Sequence, residues 1–317
     1  MNGRTATTHD ETPLFFPAGG ETLFGILTHP TVPANGTGIV LLHGGGYTGS
    51  AHRNRASLRQ ARSLAAHGFH VMRFDYHGMG ESSGVVEEIQ LGRPFTEDLD
   101  GVMDVMRSHG VADFILVGQC FGGRAILSLS PRIPDLRGVV LLAIQIRDFG
   151  RNEGTAVRMA HDMSSLAVAR RGWRALSVKT FTDRDTRRRT TRLVKTLVRA
   201  KVRSLPGRIR SRMSRNGDDM HWVSPRFMEP FQSLIEGRVP LLLVFGDLDG
   251  NEDFHEAKKG RLGNLLDANR DLVEVHTLAG RVHGLSQVST QNELQELIET
   301  WILQRAIMNP EPSEESP

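Results

Sequence analysis

The sequence predicts an α/β fold built on a mainly parallel sheet, and three observations carry that prediction. Short, apolar, β-branched runs recur along the chain with stretches of helical composition between them. One of these runs ends in Gly118-Gln119-Cys120-Phe121-Gly122-Gly123, a small-residue turn leading straight into a further apolar segment. Charge is divided unevenly: residues 151–215 hold 19 Lys and Arg against 4 acidic residues, whereas the remainder holds 20 basic against 32 acidic. A basic segment set into an acidic body marks an insertion.

Residues 22–27 (TLFGIL) read as an early strand. Residues 38–42 (GIVLL) form a second apolar run that enters His43-Gly44-Gly45-Gly46. Residues 69–74 (FHVMRF) lead into Asp75-Tyr76-His77-Gly78-Met79-Gly80. Residues 114–117 (FILV) are a buried strand bounded by Gly118, and Ala125, Ile126, Leu127 and Leu129 suit a buried helix after the turn. Residues 138–143 and 239–245 repeat the strand pattern, 272–278 form the last strand, and 292–305 a final helix. Between them, Val194, Val198, Val202 and Leu205 share one helical face with arginines and lysines on the others. The predicted organisation is a core of residues 13–147 and 231–308 and a helical basic lid of 148–230 inserted between strands six and seven. Such a lid would cover the carboxyl ends of the strands, where open α/β sheets bind ligands. Residues 1–12 and the Pro-, Glu- and Ser-rich 309–317 are expected to be disordered tails.

At 317 residues, 39% hydrophobic and 24% charged, the composition is that of a soluble globular protein. No run approaches the roughly 18 apolar residues of a membrane span, and the polar first dozen lack the apolar segment of a signal peptide. Cys120 is the only cysteine, so no internal disulfide forms and a cytoplasmic home is expected. The histidines lack H-x-x-x-H spacing and C-x-x-C is absent, so no metal is expected, and no cofactor is expected either.

A strand turning sharply into a helix through small-x-nucleophile-x-small is a nucleophile elbow, with Gly118 and Gly122 where flanking Cβ atoms would collide. Cys120 stands at its centre. Free cysteine is also a common inert core residue, so the other motifs decide its role. Five separated segments, in order, resemble the α/β-hydrolase superfamily: the His43-Gly44-Gly45-Gly46 turn, residues 73–82, the elbow, Gly246-Asp247-Leu248-Asp249, and Arg281-Val282-His283-Gly284. Within it, residues 52–84 look like the exosortase-associated and serine-aminopeptidase-like groups. The usual serine is a thiol here.

A thiol must lose its proton to attack a carbonyl and needs a base within hydrogen-bond reach. The resemblance implies His283 as that base, after the last strand, and Asp249 as the carboxylate that orients it, through the family's G-x-x-D pattern. Asp247 is the alternative acid, with a turn-forming role expected of it; Glu252 and Asp253 suit the cap of the following helix. The oxyanion donors implied are the backbone N–H of Phe121 at the helix N-terminus and that of Gly45, with Gly44 as a second choice. Asp75 and His77 belong to a motif that braces the oxyanion loop, and Tyr47 and Gln119 are candidate pocket walls.

The expected function is acyl transfer through a covalent thioester: hydrolysis of an ester or thioester, or transfer or cyclisation to an acceptor in a biosynthetic pathway. The basic insert, with Arg187-Arg188-Arg189, suits an acidic acyl-carrier protein or the phosphates of coenzyme A, and equally a solvated helix face. Nucleic acid is not expected, because no reading motif accompanies the charge. Carbon–carbon bond hydrolysis, a lyase reaction, or a non-catalytic binding protein on the same fold are the alternatives.

Overall fold

The computed structural model describes residues 9–45, 50–51, 54–86, 89–148, 223–249 and 251–306. Eight strands form one sheet in the order β1-β2-β4-β3-β5-β6-β7-β8: β1 Glu11–Ala18, β2 Glu21–Thr28, β3 Thr37–Leu42, β4 His70–Phe74, β5 Asp113–Gln119, β6 Leu136–Leu142, β7 Leu241–Gly246 and β8 Val273–Leu278. Pairings β1–β2 and β2–β4 are antiparallel and all the others parallel. The mainly parallel sheet of the sequence reading is therefore present.

The central strands are apolar almost without break because both of their faces are covered. Successive side chains alternate between the faces, so Val40 and Leu116 join a core with helices α2 (Thr96–Ser108), α3 (Phe121–Leu129) and α4 (Pro225–Glu236). Ile39, Leu41, Ile115 and Val117 face the opposite way, toward α1 (Ala56–Ala65) and α7 (Val288–Trp301). Two short helices, α5 (Glu252–Ala257) and α6 (Arg261–Ala268), link β7 to β8. Among the described residues no helix is long and apolar enough to cross a membrane.

Two elements differ from the sequence reading. Strand β1 begins at Glu11, inside the segment expected to be a tail, and pairs along its whole length with β2. Its Pro13 and Pro17 argue against a strand in sequence. They are tolerated because β1 is the sheet edge, where a missing N–H facing outward costs no ladder bond. The helix expected over 292–305 starts earlier, at Val288, and passes into a π-turn at Ile302–Ala306.

Parallel strands place their carboxyl ends on one edge, and β3, β5, β7 and β8 all deliver their following loops there. The register pairs Leu42 with Gly118, Gln119 with Leu142 and Gly246 with Leu278, which brings the four motif-bearing turns to one edge of the sheet. The interval between β6 and β7 leaves and returns at one point: Ser224 N–H donates to Ile146 O at 2.8 Å. The predicted lid, including Arg187–Arg189 and the Val194 to Leu205 stripe, lies outside the described residues for 149–222, as does Tyr47.

Candidate active site

Cys120 sits between β5 and α3 with φ 47° and ψ −102°, a left-handed conformation that non-glycine residues rarely adopt. The surroundings hold it there. Its N–H donates to Leu142 O at 2.9 Å and its carbonyl accepts Arg124 N–H at 3.2 Å. The elbow closes only because its neighbours lack side chains. A Cβ on Gly118 would lie 2.6 Å from Gly122 C, and one on Gly122 would lie 2.7 Å from Leu42 O and 2.9 Å from His43 O. The helix can thereby press directly on the end of β3. Cys120 is half-buried.

Gly44 and Gly45 lie against the elbow. A Cβ on Gly44 would be 3.6 Å from Cys120 Cβ, and one on Gly45 3.4 Å from Phe121 Cβ and 3.1 Å from the Ile89 side chain. Phe121 opens α3, so its N–H is among the helix donors with no intrahelical acceptor. Gly45 N–H donates to His43 Nδ1 at 3.3 Å, a long bond inside the turn. His43 is half-buried, and desolvation lowers its pKa to about 4 despite the opposing charge of Asp75. Its ring is thus neutral near pH 7, with Nδ1 free to accept.

The platform under this turn is aromatic. The Tyr76 ring lies 4.5 Å from His43 and 5.5 Å from Phe121, and its hydroxyl donates to His43 O at 3.2 Å. Burial raises the Tyr76 pKa, with Asp98 and Cys120 adding to the effect, so the phenol stays a donor. Asp75 accepts Ser50 N–H, just beyond the turn, and His77 pairs through Nδ1 and its backbone N–H with the buried Asp98, both at 2.9 Å. The motif that contains them does meet the glycine turn.

On the other side, the two aspartates after β7 divide the last loop between them. Asp249 accepts Gly246 N–H at 2.8 Å, Val282 N–H at 3.0 Å and His283 N–H at 3.1 Å. Asp247 accepts Gly280 N–H at 2.7 Å. Asp253 forms an ion pair with Arg147 at 2.7 Å, and α5 takes Asn251 as its N-cap. Of the predicted acids, Asp249 reaches the main chain of His283.

Three contributors have no motif in the sequence. Gln119, expected as a pocket wall, also donates to Val282 O and His283 O at 2.9 and 2.7 Å. Asn54 donates to Gly284 O and Leu285 O at 3.1 and 2.7 Å. Arg124, one helical turn after Cys120, has a side chain only 1% exposed and pairs with Asp148 while bonding Ser224 Oγ at 3.3 Å. Burial lowers its pKa. The sequence signal that could have found it is a lone arginine within an apolar helix.

Among the described residues no group of three or more His, Cys, Asp or Glu is arranged to hold a metal ion. A model of the alpha/beta hydrolase family matches residues 39–285. Solved structures of similar fold include a proline iminopeptidase of Mycobacterium smegmatis, with TM-score 0.54 and 16% identity, covering 94% of this chain and 100% of that one. An esterase of Pyrococcus furiosus gives TM-score 0.55 at 12% identity, covering 94% and 92%. A Xanthomonas campestris serine hydrolase without a lid gives 0.53 at 12%, covering 98% and 100%. At these identities the likeness is one of fold.

Proposed function

The chain belongs to the alpha/beta hydrolase family, and from that premise we propose that it is an acyl-transfer enzyme with a Cys120-His283-Asp249 triad. The observation that carries this reading is the thiol at φ 47° in a glycine-closed elbow, at the head of α3 and against the Gly44–Gly45 turn. The strained backbone is costly, about 1–3 kcal/mol, and is kept where it presents a side chain for chemistry.

His283 takes the thiol proton, and the sulfur attacks the carbonyl carbon of an ester or thioester. The developing oxyanion is held by Phe121 N–H and by the Gly44–Gly45 turn. There the long Gly45 bond to neutral His43 yields to a charged acceptor, which binds an N–H about twice as strongly. As the tetrahedral species collapses, the imidazolium gives its proton to the leaving alcohol or thiol. An acyl group remains on Cys120 as a thioester. Water, amine or thiol then attacks with His283 again as base, restoring the free thiol and releasing acid, amide or a new thioester. Asp249 stabilises the imidazolium and fixes the loop that carries it.

The iminopeptidase and esterase among the structural neighbours fit an acyl substrate. The excess of Lys and Arg in residues 151–215 favours an anionic carrier, such as an acidic acyl-carrier protein or coenzyme A. Intact-protein mass spectrometry after exposure to a panel of acyl thioesters tests the reading. Wild type is expected to gain one acyl mass and the Cys120→Ala variant none. A Cys120→Ala protein that turned over activated acyl substrates at the wild-type rate would reject it.

A further inference from the structure

We propose that Gln119 is a positioning residue for His283, acting through the main chain of the histidine loop; this rests on the triad reading above. Its side-chain nitrogen donates to the carbonyls of Val282 and His283 at 2.9 and 2.7 Å. Both partners can only accept, so the nitrogen must face them and the orientation of the amide is fixed. Oε1 is thereby turned toward Gly44, where a Cβ would lie 3.5 Å away. The side chain next to the nucleophile thus spans the gap between the glycine turn and the histidine loop.

The peptide group joining Val282 to His283 is gripped at both poles. Its carbonyl accepts from Gln119, and its N–H donates to Asp249 at 3.1 Å. Asn54 continues the pattern to Gly284 O and Leu285 O, so four successive carbonyls accept from side-chain amides. Leu285 at φ 42° shows a loop held in a conformation it would not keep alone. Gln119 is one peptide bond from Cys120, so its grip sets where the imidazole lies relative to the sulfur. A misplacement of about 1 Å in such a pair costs on the order of 100-fold in rate.

The test is the pH dependence of Cys120 alkylation by iodoacetamide in the full-length protein, together with thermal melting. Gln119→Met keeps the side-chain length and removes both donors. Its inflection is expected to rise by about one pH unit, with alkylation at pH 7 about tenfold slower, because the thiolate is less well supported. Gln119→Asn keeps the donors but withdraws them by one methylene, and is expected to fall between; it is read in the same way if Gln119→Met does not fold. A lowered melting temperature with the wild-type inflection overturns the proposal, since that is the signature of packing alone. His283→Ala separates the two readings. If it shifts the inflection and the Gln119 variants do not, the positioning role fails and the triad stands. If His283→Ala keeps the wild-type inflection, the triad reading fails and this inference with it.

Discussion

Asp247 and Asp249, two positions apart after β7, bind the same loop at points three residues apart. Asp247 holds Gly280, at the end of β8, and Asp249 holds His283. The division of labour predicts a clean split between paired variants. Asp249→Asn places an amide where three backbone N–H groups converge and removes the charge that supports an imidazolium. A loss of about 10³-fold or more in kcat/KM is expected. Asp247→Asn loses one charge-assisted bond at the strand end and is expected to lower stability by about 1–2 kcal/mol with activity within a few-fold. Steady-state kinetics beside urea unfolding on both variants checks this. Equal losses of activity would remove the distinction.

The three glycines of the elbow are not equivalent. A Cβ on Gly122 meets backbone, Leu42 O at 2.7 Å, which cannot move without shifting β3. A Cβ on Gly123 meets the tip of the Ile144 side chain at 2.6 Å, which can turn aside. Gly122→Ala is therefore expected to cost about 3 kcal/mol or more, and Gly123→Ala about 1 kcal/mol. Urea unfolding midpoints report the order, and a reversed ranking would show that the helix, not the strand, yields.

Half-buried His43 makes stability pH-dependent in a defined window. Its folded pKa is about 4 against an ordinary value of 6.5, with burial the main cause. Above pH 6.5 the ring is neutral in both folded and unfolded chains and contributes no slope. Between 6.5 and about 4 only the unfolded chain takes the proton, so stability falls as pH falls, by up to about 3 kcal/mol. His70, also lowered mainly by burial, acts in the same direction. Asp98, raised mainly by burial, acts in the opposite sense at the acid end. Denaturant unfolding at pH 7.5, 6 and 5 is expected to show the decline, and His43→Asn to flatten it. A variant with the wild-type slope would assign the pH dependence elsewhere.

Much of this architecture was legible because burial writes itself into composition. Strands covered on both faces must be apolar throughout, so the central strands β3, β5, β6 and β7 stand out as runs, and a turn with no room for Cβ must be glycine. What was not legible depends on contacts across the chain. Gln119 reaches Val282 over 163 positions, and no local pattern shows that its amide grips a distant loop. Pro13 and Pro17 hid β1, because their cost depends on which side of the strand faces a neighbour, and that is known only once the sheet order is. Gly45 was legible as a turn, yet its N–H bond to His43 follows from the ring being half-buried and neutral, which composition does not reveal.

Arg124 and Asp148 couple the elbow helix to the point where the chain leaves the sheet. The guanidinium is almost wholly buried, whereas the Asp148 side chain is 30% exposed and also lies 3.5 Å from Arg226. The asymmetry predicts unequal losses. Asp148→Ala strands a buried charge with only the neutral acceptors Gln145 O and Ser224 Oγ, and is expected to cost about 3 kcal/mol. Arg124→Met keeps the packing and leaves a carboxylate that water and Arg226 can still serve, so about 1 kcal/mol is expected. The double variant should cost less than the two together, because the stranded charge is gone. Urea unfolding of the four proteins closes the cycle. Strict additivity would mean that the pair contributes nothing as a pair.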